Sequence, residues 1–586
     1  MEGVDHVTNV RRMVMLIGLP FLAVVLGIYR GGQFSQFLLL GAVAAALALT
    51  WGIAGVLNLG QSITFGVGVY AGAWFGLHWG GAGTVAGVVC GAVLGGVTAW
   101  VIATVTLRRR LDVITVALTT FVLALAAEDI ANQWQSVTGG EDGLNGVPGI
   151  HLGGLLLSAA EQRAAAAAVA VIAVLGFAAL ARRPYGAALA ACRDDERRMA
   201  SLGYDVLRLK VGVFTVTGAA VGLLGAVYAT QVQYASTTFL GVTFATDFVI
   251  WALLGSRRTI WGPLVATVLY NVGVVELTGS ALNYWLLITG IVFVAFVLFV
   301  PEGGAVAFQK IVPASWQPRT SVALGVAAEP TSERTGSLVA SEITCRFGSV
   351  RAVSEVSLTL SSPGIHCVIG PNGAGKSTLL DVLSGTTPAA SGSWWLGDTD
   401  VTGSTPWVIA RAGLGRKFQS PCVATSLTVA ENLALARWGK SHGPLALARQ
   451  RWEVSLPPEV WSVLGAADLV ERTSSVAGDL SHGQRQILEL AMTLAAGCDL
   501  LLLDEPTAGM SANETGRLAE LLLHLSRERK LPLLVVEHDI AFIRSVADEV
   551  TVMRNGSIMM SGTVAEVEGD ERVKDVYLGR SALLEP

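Results

Sequence analysis

The sequence is poor in charge, in paired cysteines and in clustered basic residues. Only 15% of its 586 residues are Asp, Glu, Lys or Arg, and a net charge of −5 offers no basic surface for nucleic acid. The six cysteines are scattered without a C-x-x-C pair, a pattern typical of reduced, buried residues rather than a disulfide or metal framework. They are Cys90, Cys192, Cys345, Cys367, Cys422 and Cys498. The sequence therefore predicts no nucleic-acid partner and no cysteine-based site.

Apolar sequence is what the chain has in excess. Hydrophobic residues make up 52% of it and the mean hydropathy is +0.56, too high for a soluble protein of this length. A chain of 586 residues predicts two to four domains. Its first part contains apolar segments near the length of a membrane-spanning helix, which predicts a polytopic α-helical domain of about ten spans. The segments fall at about 13–29, 35–57, 62–79, 82–105, 111–131, 163–181, 211–230, 239–255, 262–277 and 283–300. Those at 62–79, 239–255 and 262–277 are short enough to be re-entrant or broken.

Basic residues predict the orientation of these segments. Residues 1–300 hold 16 of the 40 lysines and arginines. With the N-terminus inside, the basic stretches at 11–12, 108–110, 182–210 and 257–258 face the cytoplasm, and only Arg30 and Arg163 face outward. No signal-peptide cleavage site follows promptly, so we expect the first segment to be retained. An even number of spans returns the C-terminus to the cytoplasm.

Polar residues interrupt the apolar part at two places. The glycine-punctuated stretch at 51–62, with Asn58 and Gln61, either lines a substrate path or forms a tight interfacial turn. Asp247 lies well inside an apolar segment, where an acidic residue marks either a functional site or an interhelical hydrogen bond.

The inward loop at 193–204 begins as a charged helix. Met199, Ala200 and Leu202 follow its charges and are suited to dock on a partner. The length of the loop favours a helix that transmits motion between domains, and an ordinary solvated loop is the alternative.

The second part of the chain contains a glycine-rich loop in the context that a phosphate site requires. The loop lies between a short apolar run, 365–369, and a helical pattern, 379–384. A strand, such a loop and a helix N-terminus present backbone N–H groups to the phosphates of ATP. Lys376 then reaches the β- and γ-phosphates, and the hydroxyl of Ser377 suits Mg²⁺. The predicted ATP-binding residues are Gly370, Pro371, Asn372, Gly373, Ala374, Gly375, Lys376, Ser377 and Thr378.

Acidic, amide and imidazole side chains follow other predicted strands. Asp504 and Glu505 end an apolar run and suit a Mg²⁺ ligand and a general base for water, with a helix N-cap as the alternative. Gln419 suits Mg²⁺ and the attacking water, and His538 suits the γ-phosphate. We therefore predict Glu505, His538 and Gln419 as catalytic residues and Ser377, Gln419 and Asp504 as Mg²⁺ ligands.

Two further elements are predicted to contact nucleotide. Ser481, Gly483 and Gln484 open a helix whose hydroxyl, N–H groups and dipole make an anion site. This site lies too far along the chain to serve the same nucleotide, so we expect it to close over ATP held by a second ATPase domain. Phe347 is predicted to stack on adenine, with a core phenylalanine as the alternative.

These segments occur in the order found in the ABC transporter superfamily, which the chain resembles over nearly its whole length. Leu-Ser-His-Gly-Gln at 480–484 is similar to the signature of that family, with His482 where most members have glycine. The apolar part resembles the branched-chain amino acid and urea permeases of bacterial importers at 51–61, 139–144, 184–196 and 299–303. Within that group, the urea-type branch is favoured by four short sequence segments, at 249–255, 415–421, 480–484 and 505–510.

The resemblance implies a domain organisation and a function. A transmembrane permease domain is expected at 1–303, a partly disordered linker at 304–337 and an α/β P-loop NTPase domain at 338–586. The implied function is ATP-driven import of branched-chain amino acids, or of urea or short amides, across the bacterial inner (plasma) membrane. A membrane-anchored regulatory ATPase and an ABC exporter are the alternatives. The first needs fewer spans than we predict, and the second usually has long cytoplasmic helix extensions.

The resemblance also implies partners. These are membrane lipid, a periplasmic or surface solute-binding protein, and a second permease and ATPase subunit or a second copy of the chain. The N-terminus and the ATPase domain are expected in the cytoplasm.

Overall fold

A computed structural model describes residues 33–108, 112–152, 155–280, 285–300, 303–304, 322–327, 336–360 and 363–573. The chain divides into two compact units. The membrane unit comprises residues 1–189 and 207–320, and the ATP-binding unit comprises residues 190–206 and 321–586. The predicted span at 13–29, its flanking arginines and most of the predicted linker lie outside the described residues.

The membrane unit is built mainly from helices. Five helices in its described part are long and apolar enough to cross a membrane, so a polytopic helical domain is confirmed and a count of about ten spans is not. They are Phe34–Ile53, Gly83–Leu107, Val113–Gln133, Ala159–Arg182 and Val206–Val232. The other helices, which include two 3₁₀ turns, are Gln135–Thr138, Gly140–Asp142, Pro184–Asp194, Thr237–Leu240, Val242–Gly255, Trp261–Ser280 and Trp285–Phe299. Short antiparallel pairs join Leu144–Asn145 to Tyr234–Ala235 and His151–Leu152 to Leu155–Leu156.

The first described helix is interrupted within the predicted segment 35–57. Phe34–Leu47 continues as the π-helix Ala48–Ile53, and the chain becomes helical again only at Gln61. A π-helical turn widens the backbone ladder and is found where helices bend or end at functional sites. The polar stretch predicted at 51–62 is therefore a break between two helices.

Gly80 separates the predicted segments 62–79 and 82–105, and two other predicted segments contain short helices. The helical run Gln61–Leu107 is kinked at Gly80, where φ is +60° and ψ is −145°, values that a residue with a side chain rarely adopts. Val242–Gly255 has 14 residues, fewer than a span needs, and Trp285–Phe299 has 15 described residues.

Glycines also let two spanning helices touch. A Cβ atom on Gly222 would lie 2.1 Å from the carbonyl oxygen of Gly91, so only glycine fits this crossing. Small residues at crossings allow the close helix packing that is common in membranes.

A six-stranded sheet forms the centre of the ATP-binding unit and positions the candidate site. Its first five strands are parallel and the sixth is antiparallel. Continuous apolar runs such as 500–503 are buried, as strands covered on both faces require. The carboxyl ends of four neighbouring strands therefore meet at one edge of the sheet. In sheet order the strands are Leu414–Lys417, Leu500–Asp504, Leu533–Val536, Ile365–Ile369, Glu549–Arg554 and Ser557–Gly562.

An antiparallel sheet and helices complete this unit. Trp394 is 1% exposed and packs in the core beneath the antiparallel sheet. The strands, in order, are Thr399–Asp400, Ser391–Leu396, Leu338–Phe347 and Val350–Leu360. The helices are Glu196–Ser201, Lys376–Leu383, Pro406–Arg411, Val429–Trp438, Pro444–Arg449, Pro458–Gly465, His482–Ala495, Ala512–Arg527, Ile540–Val546 and Val564–Gly569, with a 3₁₀ turn at Ala477–Asp479.

Part of the predicted linker has regular structure. Ala323–Val326 forms a strand parallel to Glu453–Leu456, and the N–H of Ala323 donates to the carbonyl of Trp452 at 2.8 Å. Gly325 lies opposite Ser455, and a Cβ on Gly325 would be 3.3 Å from the Ser455 hydroxyl oxygen. Residues 323–326 of the predicted linker are therefore attached to the ATP-binding unit as an added strand.

Candidate active site

The phosphate-binding loop lies between the buried strand Ile365–Ile369 and the helix Lys376–Leu383. Gly373 and Gly375 have φ values of +83° and +97°, in the left-handed region that glycine adopts without strain. A Cβ on Gly375 would lie 2.2 Å from the carbonyl oxygen of Ala352, so a side chain cannot be accommodated there. All nine residues predicted to bind ATP, from Gly370 to Thr378, are contiguous in this strand, loop and helix.

Lys376 folds back across its own loop. Its Nζ donates to the carbonyl oxygens of Gly370 at 2.7 Å and Pro371 at 3.1 Å. Burial lowers the pKa of this ammonium group, and the carboxylates of Glu505 and Asp504 oppose that shift. A phosphate in the loop would offer the ammonium a charged acceptor in place of neutral carbonyls.

Oxygen ligands that suit Mg²⁺ stand beside the loop. The Ser377 hydroxyl donates to Oδ1 of Asp504 at 3.3 Å, and Gln419 follows the strand that pairs with the strand of Asp504. Within the described part of the chain, no three His, Cys, Asp or Glu side chains form a metal cluster. One hydroxyl, one amide and one carboxylate fit Mg²⁺, which is commonly held by few protein oxygens together with phosphates.

Glu505 is held in an uncommon backbone conformation at the end of its strand. Its φ is +42°, which a residue with a side chain adopts only when its surroundings enforce it. The Gln419 side-chain amide donates to its Oε2 at 2.8 Å, and Nδ1 of His538 lies 4.0 Å from its Oε1. The next helix is capped by Ser511, so the alternative that the acidic pair caps a helix is wrong. The three predicted catalytic residues therefore lie together.

The signature segment, residues 480–484, opens the helix His482–Ala495. Ser481 accepts from the N–H of Gln484, and the Gln484 side chain accepts from the N–H of Ser481. Gln484 also donates to the carbonyl of Ala467 at 3.3 Å. Gly483 lies between the two residues of this capping box. These hydrogen-bond partners of Ser481 and Gln484 do not include any residue of the phosphate-binding loop. These hydrogen bonds of the segment are therefore made within the segment and to Ala467.

Phe347 ends a strand with its ring exposed. Its side chain is 55% exposed, which excludes the alternative of a core phenylalanine. Stacking on adenine stays a prediction.

Arg416 is a residue of the site that sequence reasoning missed. It is 4% exposed, and its guanidinium donates to the Ser384 hydroxyl at 2.5 Å and lies 2.6 Å from Oδ1 of Asp381. Burial raises the pKa of Asp504, and Arg416, 3.9 Å away, opposes that shift. The signal was a basic residue in the short strand Leu414–Lys417, but its partners come from distant segments.

The loop helix, Glu196–Ser201, folds within the ATP-binding unit. Arg198, Met199 and Leu202 are each no more than 2% exposed, so the alternative of a solvated loop is wrong. The Tyr204 hydroxyl donates to the carbonyl of Leu435 at 2.7 Å. Its burial in apolar surroundings raises the pKa of the Tyr204 phenol.

Arg198 connects the loop helix to two other elements of the ATP-binding unit. Its guanidinium donates to the carbonyl oxygens of Arg416 at 2.9 Å and Glu489 at 2.8 Å, and to the Thr493 hydroxyl at 3.1 Å. Oε1 of Glu489 lies 3.7 Å from the same guanidinium and accepts from the N–H of Phe418. One side chain of the loop helix thus joins the strand that precedes Gln419 to the helix that follows the signature segment.

The polar residues of the membrane unit have different environments. The Gln61 amide donates to the carbonyl of Val43 at 3.0 Å, and the Ser62 hydroxyl donates to the carbonyl of Leu240 at 3.0 Å. Within the described residues Asp247 has no hydrogen-bond or ion-pair partner, so the interhelical hydrogen-bond alternative is not supported. A role for Asn58, Gln61 or Asp247 in a substrate path stays a prediction.

Family models match both parts of the chain. Residues 32–297 match the permease component of branched-chain amino acid transport systems, and residues 353–508 match the ABC transporter family.

Known proteins resemble the ATP-binding part. The high-affinity branched-chain amino acid transport ATP-binding protein LivG of Salmonella typhimurium is 33% identical over 244 residues, which are 40% of this chain and 95% of LivG. BraF of Pseudomonas aeruginosa, with the same description, is 32% identical over 253 residues, 42% of this chain and 98% of BraF. A crystal structure of a nucleotide-free ATP-binding cassette from an ABC transporter is 26% identical and covers 41% of this chain and 98% of the cassette, with a TM-score of 0.36.

The order of the site residues along the chain and the two family matches indicate the same family. The chain belongs to the ABC transporter family, as a permease domain of the branched-chain amino acid type fused to an ATP-binding domain that hydrolyses ATP to drive transport.

Proposed function

We propose that this chain is the permease–ATPase subunit of an importer that takes up branched-chain amino acids into a bacterial cell. The observation that carries this proposal is the joining of the two matched domains in one chain, the first of the branched-chain permease type. The ATP-binding part resembles LivG and BraF, whose names state the same class of solute. Urea and short amides are the competing solutes, favoured by the sequence phrases at 249–255 and 415–421.

In the proposed cycle, the phosphate-binding loop holds ATP and Glu505 accepts a proton from the attacking water. Gln419 orients that water and Glu505, and His538 donates to the γ-phosphate. Mg²⁺, held by Ser377, Gln419 and Asp504, would neutralise charge on the phosphates. The 2.8 Å hydrogen bond between Gln419 and Glu505 supports this assignment, because it keeps the base at the end of its strand.

A closed ATP site requires a second ATP-binding domain. The chain has one phosphate-binding loop and one signature segment, and in this chain the latter hydrogen-bonds to its own capping box and to Ala467. A second permease and ATPase subunit would therefore supply the missing signature, with a second copy of the chain as the alternative. A solute-binding protein would deliver the solute on the outer face of the inner membrane.

Arg198 is the residue through which we expect the permease to act on the ATP site. It comes from the loop before the spanning helix Val206–Val232, and it binds the main chain of Arg416, three residues before Gln419. A shift of the loop helix would therefore move Gln419 and the helix His482–Ala495 together.

Uptake into vesicles containing the assembled transporter tests this proposal. ATP on the ATPase side should drive entry of labelled leucine from the opposite side when the solute-binding protein is present, and excess unlabelled urea should not compete. Entry of urea instead would make urea the solute. ATP-driven movement toward the binding-protein side would indicate an exporter, and hydrolysis without movement of either solute would favour a regulatory ATPase.

A further inference from the structure

Glu537 is a completely buried carboxylate beside the candidate site, and neither the sequence motifs nor the proposed cycle gives it a role. It follows the strand Leu533–Val536 and is 0% exposed. A buried carboxylate is costly unless hydrogen-bond donors surround it, so its donors indicate what it is for.

Those donors come from the two turns that carry Glu505 and His538. Oε1 of Glu537 accepts from the N–H of Thr507 at 3.0 Å and from the Thr507 hydroxyl at 2.5 Å. Oε2 accepts from the N–H of His538 at 2.9 Å. One carboxylate therefore ties the turn after Glu505 to the turn at His538.

The turn after Glu505 needs such a restraint. The φ of +42° at Glu505 is unfavourable for a residue with a side chain, and such a conformation persists only where neighbouring contacts enforce it. The N–H of Glu505 donates to the carbonyl of Val536 at 2.9 Å, which holds the start of the turn. Glu537 holds its end through Thr507.

The signature helix reaches the same turn. The side-chain amide of the buried Gln486 donates to the carbonyl of Ala508 at 2.8 Å and lies 3.2 Å from Nε2 of His482. The turn is thus held on one side by Glu537 and on the other by the helix that begins in the signature segment.

Glu537 is not needed to begin the next helix. The helix Ile540–Val546 is capped by Asp539, whose side chain accepts from the N–H groups of Ala541 and Phe542. Oε2 of Glu537 also accepts weakly from the N–H of Asp539, at 3.5 Å. The cap itself is made by the Asp539 side chain, so helix formation does not account for the two hydrogen bonds that Glu537 accepts from Thr507.

We propose that Glu537 is a positioning residue for hydrolysis, which holds Glu505 and His538 in one fixed relation across two strand ends. This inference rests on the proposed role of Glu505 as the general base. Glu537 does not touch the reacting atoms, so its loss should lower kcat without changing the binding of ATP.

Glu537→Gln tests this in the assembled transporter. An amide of the same shape cannot accept from Thr507 and from His538 as the carboxylate does, so kcat should fall between about 10- and 100-fold, the scale for a misplaced catalytic group. The KM for ATP and the affinity for a fluorescent ATP analogue should stay at wild-type values. Asp539→Asn, which keeps the cap of the next helix and removes one neighbouring carboxylate charge, is the matched control and should leave kcat unchanged.

Changes at Thr507 extend the test. Thr507→Val removes the hydroxyl donor and should lower kcat, whereas Thr507→Ser keeps the hydroxyl and should retain the wild-type kcat. In the Glu537→Gln background, Thr507→Val should lower kcat little further, because the two residues share one interaction. An unchanged kcat in Glu537→Gln, an equal loss in Asp539→Asn, or a parallel loss of ATP affinity would each overturn the proposal. If Glu505→Gln were as active as wild type, the proposed general base would fail. If Glu505→Gln were inactive and Glu537→Gln were fully active, the general base would stand and only the inference about Glu537 would fail.

Discussion

The guanidinium of Arg198 donates to the main-chain carbonyl of Arg416 at 2.9 Å, although 218 positions separate the two residues. Arg416 in turn places its own guanidinium against Asp381 and 3.9 Å from Asp504. A residue from a loop between membrane-unit helices therefore reaches, in two steps, the carboxylate predicted to hold Mg²⁺. This relationship gives the proposed coupling a specific structural basis.

Arg198→Met should abolish transport without abolishing ATP binding. The change removes three hydrogen bonds and leaves the carboxylate of Glu489 buried without its nearest cation, which typically costs about 3–5 kcal/mol at this contact. We expect uptake to be lost while binding of a fluorescent ATP analogue is retained. Arg197→Met, one position away on an exposed side chain, is the matched control and should transport normally. Equal uptake by both variants would contradict the role of Arg198.

Glu505→Gln should bind ATP and fail to hydrolyse it. Removing the general base should lower phosphate release by about 10²-fold or more, since a positioned base contributes at least that factor. Lys376→Ala should instead weaken binding, because it removes the ammonium group that faces the phosphates. Phosphate release and analogue binding, measured on both variants, distinguish the two roles. Wild-type hydrolysis in Glu505→Gln would show that another group takes the proton.

Ser481→Arg should block the assembled ATP site without unfolding the chain. Ser481 caps an exposed helix start, so arginine there would place bulk and charge where ATP of a second domain is expected to dock. Hydrolysis by the assembled transporter should fall strongly, and ATP-analogue binding to the isolated chain should not change. Ser462→Arg, at another exposed serine of the same unit, serves as the control. The mass of the particle in detergent supplies the second readout, and a monomer with full transport-coupled hydrolysis would contradict the need for a second domain.

The added strand at Ala323–Val326 can be tested by cross-linking. Gly325 and Ser455 are register partners with little space between them, so the pair Gly325→Cys and Ser455→Cys should form a disulfide on mild oxidation. The out-of-register pair Gly325→Cys and Glu453→Cys should cross-link far less. Equal cross-linking of both pairs would show that this strand is not fixed in the register described.

The phosphate-binding loop, Gln419, Asp504, Glu505 and His538 could be predicted from the sequence because each follows a strand or opens a helix in a fixed local order. Parallel strands bring such ends to one edge without further information.

Arg198 and Glu537 could not be predicted, since their roles depend on partners that only the folded chain brings close. Arg198 contacts residues 218 to 295 positions away, and Glu537 contacts Thr507 from a different strand end. The break inside the predicted segment 35–57 could not be predicted from hydropathy alone. A π-helix at Ala48–Ile53 ends a helix within that apolar segment, whereas the kink at Gly80 falls between the predicted segments 62–79 and 82–105.

The most direct test of the central claim measures hydrolysis and uptake together. Vesicles with the assembled transporter, the solute-binding protein, ATP on the ATPase side and labelled leucine on the other side should show both activities in the wild type. Both should be lost in Glu505→Gln, while Arg198→Met should lose uptake and retain ATP binding. Leucine accumulation that persists in Glu505→Gln, or wild-type hydrolysis that continues without any solute movement, would contradict the account of this chain as an ATP-driven importer.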